Sequence, residues 1–115
     1  MHEMGIALQI VEIAKSAIPS QLEGTPIEAV NLKVGKLTAI VPESLRFCWD
    51  VVIKDTPLAG SRLEIEEIPI VARCKSCGHE FTIEGPAFTC VQCEGGDLDI
   101  ISGRELTVTS LEVAE

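Results

Sequence analysis

The sequence predicts an α+β fold of two helices and a three-stranded sheet, with a small metal-binding module inserted between two of the strands. Three observations support this prediction. Two stretches carry apolar residues at helical spacing, three others alternate as strands do, and four cysteines stand in two C-x2-C pairs. A chain of 115 residues has room for one such domain and a satellite.

The first predicted helix runs from Met4 to Ile18, and Pro19 ends it. Its apolar stripe follows the helical repeat and comprises Met4, Ala7, Leu8, Val11, Ala14 and Ile18.

The second predicted helix begins at Pro42, because proline and an acidic residue favour the first helical turn. It ends at Thr56-Pro57. Its predicted buried stripe is Leu45, Cys48, Trp49 and Val52. Cys48 is interpreted as a buried thiol that packs as a small hydrophobic side chain.

Three stretches alternate as strands do: Glu28–Lys36, Arg62–Ala72 and Arg104–Val113. In the first, Val30, Leu32 and Val34 are predicted to face the core, with Asn31 and Lys33 opposite. The second changes phase at Glu66-Glu67, where a bulge or bend would lead the chain into the inserted module.

The domain boundaries follow from these elements. Residues 1–72 and 103–115 are predicted to form the α+β domain, and residues 73–102 the inserted four-cysteine module. Phe81–Ile83 and Leu98–Ile100 are its candidate strands.

The module contains a C-x2-C-x12-C-x2-C array made of Cys74, Cys77, Cys90 and Cys93. Two facing C-x2-C turns make a tetrahedral pocket of four sulfurs, which suits structural Zn(II) in a zinc-ribbon-like module and also suits iron. Gly78, Gly95 and Gly96 are expected to supply the positive φ that such turns need. A thioredoxin-like redox pair is disfavoured because no βαβ unit surrounds the array.

The charge balance bears on partners and location. The formal net charge is −9 and only 3% of the residues are aromatic, so nucleic acid is not expected as a partner. The sequence contains no stretch typical of a transmembrane helix or signal peptide, and a cytoplasmic protein without membrane contact is expected.

The N-terminal Met1-His2-Glu3 offers a second metal site. The Met1 amine, the His2 amide and the His2 imidazole can close five- and six-membered chelate rings on one ion. Nitrogen ligands in one plane suit Ni(II) or Cu(II), and Glu3 or solvent can fill the fourth position.

Taken together, several stretches of the chain resemble the HypA/HybF family. They are Met1-His2-Glu3-Met4 before an apolar helix, Leu32–Leu37, Leu45–Trp49, the two C-x2-C pairs and Gly103–Leu106. The family comprises nickel metallochaperones for [NiFe] hydrogenase and, in some bacteria, urease.

The resemblance implies particular residue roles and partners. Met1, His2 and Glu3 correspond to the nickel-binding terminus, and the four cysteines to structural zinc ligands. The implied partners are a HypB-type GTPase and the hydrogenase large subunit, with this protein a monomer or homodimer. His79 is interpreted as a surface residue near the zinc site.

Two other functions remain open at this stage. One is a structural zinc-ribbon adaptor for protein interactions, in which the N-terminus is inert. The other is a rubredoxin-like iron electron carrier. An enzyme is not expected, because the sequence shows no nucleophile–base set and contains only two histidines.

Overall fold

A computed structural model of the chain describes residues 2–85 and 87–114, the side chain of His2 excepted. The helices and strands are α1 (His2–Ala17), α2 (Pro42–Val52), β1 (Ile27–Gly35), β2 (Arg62–Ile68), β3 (Ile70–Cys74), β4 (Glu80–Ile83), β5 (Leu98–Ser102) and β6 (Leu106–Val113). Short 3-10 turns follow α1 and β1. The strands form two sheets, ordered β2-β1-β6 and β4-β3-β5. The predicted two helices and three-stranded sheet are confirmed, and the inserted part has a sheet of its own.

The chain divides into two compact units. The helical unit comprises Met1–Lys33, Ile40–Glu66 and Thr107–Glu115. The cysteine unit comprises Val34–Ala39 and Glu67–Leu106. In the part of the chain that the structure describes, no helix combines the length and the apolar character needed to span a bilayer.

Helix α1 buries Ala7, Val11 and Ala14 of the predicted stripe, together with Ile10, which the prediction left out. Met4 and Leu8, assigned to the buried stripe, are 38% and 52% exposed. Apolar residues cover more than half of the circumference of α1, so spacing alone did not select the face that packs.

Helix α2 begins at Pro42 as predicted but ends at Val52, before Thr56-Pro57, and Val52 of the predicted buried stripe is half-buried. Pro42 occupies the first turn, and Leu45 and Trp49 are completely buried. The buried Trp49 indole donates a hydrogen bond to Ser61 Oγ at 3.3 Å, so its polar atom is satisfied. Cys48 is half-buried rather than buried, because it lies at the edge of the packed face of α2.

Strand β1 has the predicted faces. Val30, Leu32 and Val34 are buried, whereas Lys33 is exposed. Asn31 is half-buried, and its side-chain amide donates to Ser110 Oγ and Glu112 Oε2 at 2.9 and 3.1 Å.

The predicted strand Arg62–Ala72 is two strands, β2 and β3, which belong to different sheets. The strand is interrupted at Pro69, while the division between the two compact units falls between Glu66 and Glu67, where the sequence changes phase. Proline has no N–H to donate to a ladder, so it separates the strands. A register irregularity between Val71 and Ala72 follows in the pairing of β3 with β5.

Two glycines of the cysteine unit allow their backbones to approach closely. Gly35 N donates to Glu105 O at 2.7 Å, and Leu37 N donates to Gly103 O at 2.8 Å. Gly103 has a φ of +117°, and a Cβ on Gly35 would collide with the Gly103 carbonyl oxygen. Only glycine fits at position 35, because the obstacle is backbone.

Gly35→Ala is therefore expected to lower the free energy of unfolding by about 2 kcal/mol or more, since over-packing against rigid backbone forces the strands apart. Gly5→Ala is the matched control. A Cβ there has no neighbour within 4 Å, and the change should stabilise α1 by up to about 1 kcal/mol. Urea unfolding gives the free energy of unfolding of both variants. Equal values for Gly35→Ala and Gly5→Ala would contradict the close approach of the two backbones.

Candidate metal centre

The four cysteines of the predicted array come together in the cysteine unit. Their sulfur atoms all lie within 4.8 Å of one another. Cys74 Sγ is 3.5 Å from Cys93 Sγ, and Cys77 Sγ is 3.6 Å from Cys90 Sγ. A tetrahedral zinc–thiolate site with bonds of about 2.3 Å has sulfur–sulfur edges of about 3.8 Å. The cluster is thus compatible with one tetrahedral ion.

The first C-x2-C turn follows directly from the end of β3. Gly78 N donates to Cys74 O at 2.8 Å, and Cys74 N donates to His79 O at 2.9 Å. Gly78 has a φ of +79°, as the turn requires. These bonds point the Cys74 side chain inward, where it is completely buried, while Cys77 remains exposed.

The second turn repeats this geometry with one difference. Glu94 N donates to Cys90 O at 2.9 Å, and Cys90 N donates to Gly95 O at 2.8 Å. The positive φ, +62°, belongs to Glu94, four positions after the first cysteine as Gly78 is in the first turn. The expectation that Gly95 and Gly96 supply it is wrong. A Cβ on Gly95 would make only an ordinary van der Waals contact of 3.4 Å with Cys93 Sγ.

The surroundings of the four sulfurs lower the pKa of two cysteines and raise the pKa of the other two, so four thiolates are not stable together without a cation. The pKa of Cys74 falls to about 6, chiefly because the Cys77 backbone N–H points at its sulfur. At Cys93 the N–H of Gly95 acts in the same direction and is the largest single influence, but the neighbouring cysteine sulfurs and burial together outweigh it and raise the pKa to about 12. Four thiolates this close repel one another, and a divalent cation removes the repulsion.

Ion pairs connect the strands around the cluster. Arg73 on β3 contacts Glu80 on β4 with nitrogen–oxygen distances of 3.1 and 2.5 Å. Lys75 Nζ lies 3.6 Å from both Asp97 and Asp99. All these side chains are about half exposed or more, so water screens each pair and its contribution to stability is small. They support the strand register and do not replace an ion.

His79 lies beside the cluster, and its ring stacks on Phe81 with 5.9 Å between centroids and 13° between planes. The group of clustered ligand atoms found among the described residues consists of the four cysteine sulfurs alone.

The N-terminal candidates lie in the helical unit. Met1 and the side chain of His2 are outside the described groups, and the backbone of His2 begins α1. Glu3 is described: its Oε2 accepts a hydrogen bond from Val41 N at 3.2 Å. This bond lowers the pKa of the Glu3 carboxyl. It joins the first turn of α1 to the residue that precedes α2.

The sequence matches the model of a protein family described as "Hydrogenase/urease nickel incorporation, metallochaperone, hypA" over residues 1–113. The chain belongs to the HypA family. The resemblance seen in the sequence is therefore confirmed, and the family is a metallochaperone family concerned with nickel.

Two curated relatives are similar to this chain along its whole length. Hydrogenase maturation factor HypA of Desulfosudis oleivorans is 60% identical over 115 residues, covering all of both chains. The protein of the same name from Desulfatibacillum aliphaticivorans is 66% identical, covering all of this chain and 88% of the relative.

Two solved structures share the fold. The Ni metallochaperone HypA from Helicobacter pylori aligns with a TM-score of 0.66 at 18% identity, covering 96% of each chain. A second HypA solution structure aligns with a TM-score of 0.68 at 20% identity, covering 99% of this chain and 97% of the other.

Cys77→Ser is expected to lose the bound metal and unfold the cysteine unit, because metal-binding free energy there is folding free energy. Cys48→Ser is the matched control, and its stability should change by less than about 1 kcal/mol. Metal analysis and amide hydrogen exchange of the cysteine unit measure both effects. A metal-free Cys77→Ser variant with undiminished protection would refute a structural role for the ion.

Proposed function

We propose that this protein binds Ni(II) at its N-terminus and delivers it for maturation of [NiFe] hydrogenase, while Zn(II) at the four cysteines is structural. The observation that carries the proposal is the family match that starts at residue 1 and so includes Met1-His2-Glu3. The names of the two relatives support hydrogenase as the recipient, and the family description keeps urease as the alternative recipient.

The start of α1 supports a terminal nickel site. The first four N–H groups of a helix have no partner within it. Because α1 begins at His2, nickel can displace the His2 amide proton without breaking a hydrogen bond of the helix. The Met1 amine, this amide nitrogen and the imidazole then supply three ligands in one plane, which suits Ni(II).

The contacts of Glu3 support a backbone role at this site. Its carboxylate accepts the Val41 N–H and so fixes the first turn of α1. We propose that Glu3 contributes its backbone nitrogen to nickel and that its carboxylate stays on Val41. An exposed terminal chelate can then pass its ion on by ligand exchange while the packed part of α1 stays folded.

Zinc at the cysteine cluster follows from the donor set. Four sulfurs within 4.8 Å leave no open position for substrate, which is typical of structural zinc sites. Zn(II) has no redox chemistry of its own, so its contribution is to hold the two C-x2-C turns together. A protein with a structural zinc site and a separate nickel site for delivery would have a HypB-type GTPase and the hydrogenase large subunit as its partners.

His2→Ala is expected to abolish stoichiometric nickel binding at neutral pH and to leave thermal stability unchanged, because His2 precedes the first packed turn. An extra N-terminal residue should have the same effect, since it removes the chelating amine. Isothermal titration of zinc-loaded, untagged protein measures both.

His79→Ala is the control, because it removes the other histidine of the chain. It should leave the nickel titration unaltered. If the extended protein bound nickel as well as the native one, the terminal site would be excluded.

A further inference from the structure

An apolar groove lies between α1 and α2 at the end of the helical unit where α1 begins. Its volume is about 410 Å³, and it is lined by Glu3, Met4, Glu43, Ser44, Phe47 and Cys48. Phe47 is 70% exposed and Met4 is 38% exposed, although both are large apolar side chains. Neither contributes to the core, so packing within the helical unit does not explain them.

The exposed apolar surface continues along both helices. Leu8 is four residues after Met4, and Val51 is four residues after Phe47, so each lies one turn further along the same face. Leu8 is 52% exposed and Val51 44% exposed. Exposed apolar side chains on successive turns of two contacting helices are typical of a surface that receives another helix.

The charge of the groove is negative. Its described lining includes two carboxylates, Glu3 and Glu43, and no basic side chain. The whole chain carries a net charge of −9, which opposes docking of a second copy or of an anionic membrane.

We propose that this groove is the docking surface for a basic amphipathic helix of a partner protein. The helix would place apolar side chains against Met4 and Phe47 and Lys or Arg side chains beside Glu3 and Glu43. The role of the groove rests on the proposed function, because a partner that docks here would bring a nickel donor or recipient beside the N-terminus. Binding itself requires no nickel.

The test uses nickel-free, zinc-loaded full-length protein and fluorescent synthetic peptides of about five helical turns. One peptide carries Leu at helical i, i+3, i+4, i+7 spacing with Lys elsewhere. A second has the same composition in scrambled order, and a third replaces Lys by Glu. Fluorescence anisotropy should show the patterned basic peptide binding at least about tenfold more tightly than either other peptide.

Phe47→Ser should weaken this binding by about tenfold or more, as expected for a central apolar contact. Val91→Ser is the matched control, because Val91 is also 70% exposed but lies in the cysteine unit. Its affinity should equal that of the unmodified protein. Glu43→Gln should weaken binding about threefold and reduce its dependence on salt.

Equal binding by Phe47→Ser and Val91→Ser would overturn the proposal, as would equal binding of patterned and scrambled peptides. A dimer that Phe47→Ser dissociates would assign the groove to a second copy instead. Because the peptide experiment contains no nickel, a failure of peptide binding does not contradict the proposed nickel site at the N-terminus. Conversely, normal peptide binding by a His2→Ala variant that still takes up nickel would refute the terminal site and keep the groove.

Discussion

The convergence of four sulfurs on one point is the constraint on which the cysteine unit depends. The described residues of the cysteine unit include five buried apolar side chains, namely Val34, Ala72, Cys74, Ile83 and Cys90. Two of these are cysteines of the cluster. So small an apolar core does not offset the conformational entropy lost on folding. An ion held by the four sulfurs would take the place of a core and would fix the ends of β3 and of the second turn.

This constraint explains why the protein would use separate places for separate metals. A closed site of four sulfurs holds its ion by enclosing it, and releasing the ion would unfold the surrounding chain. A carried ion requires the opposite arrangement, with ligands that can be exchanged one at a time. The first turn of α1 lies outside the buried stripe that starts at Ala7. Release from such a site leaves the helical unit intact.

The fold could be predicted from sequence wherever the chemistry of a residue permits only one local conformation or one environment. Pro19 and Pro42 bound the two helices, and the alternation of Val30, Leu32 and Val34 defines the buried face of β1. The C-x2-C spacing predicted the sulfur cluster for the same reason. The family resemblance suggested a nickel-binding role for Met1-His2-Glu3, which the local sequence pattern alone did not specify.

The remaining features depend on tertiary contacts. Met4 and Leu8 have the same spacing as a buried stripe, and only packing decides that Ile10 is buried instead. The phase change at Glu66-Glu67 is visible in the sequence, whereas the separation of β2 and β3 into two sheets at Pro69 depends on which strands each one pairs with. Glu94 adopts positive φ because the turn demands it, even where glycine stands next in sequence.

The central claim is that nickel and zinc occupy different ligand sets in one molecule. X-ray absorption at both metal edges, on protein loaded with one equivalent of each ion, tests it directly. We expect four sulfur neighbours at about 2.3 Å around zinc and only nitrogen or oxygen neighbours around nickel. Sulfur in the nickel coordination sphere, or loss of sulfur from zinc when nickel is added, would contradict the account.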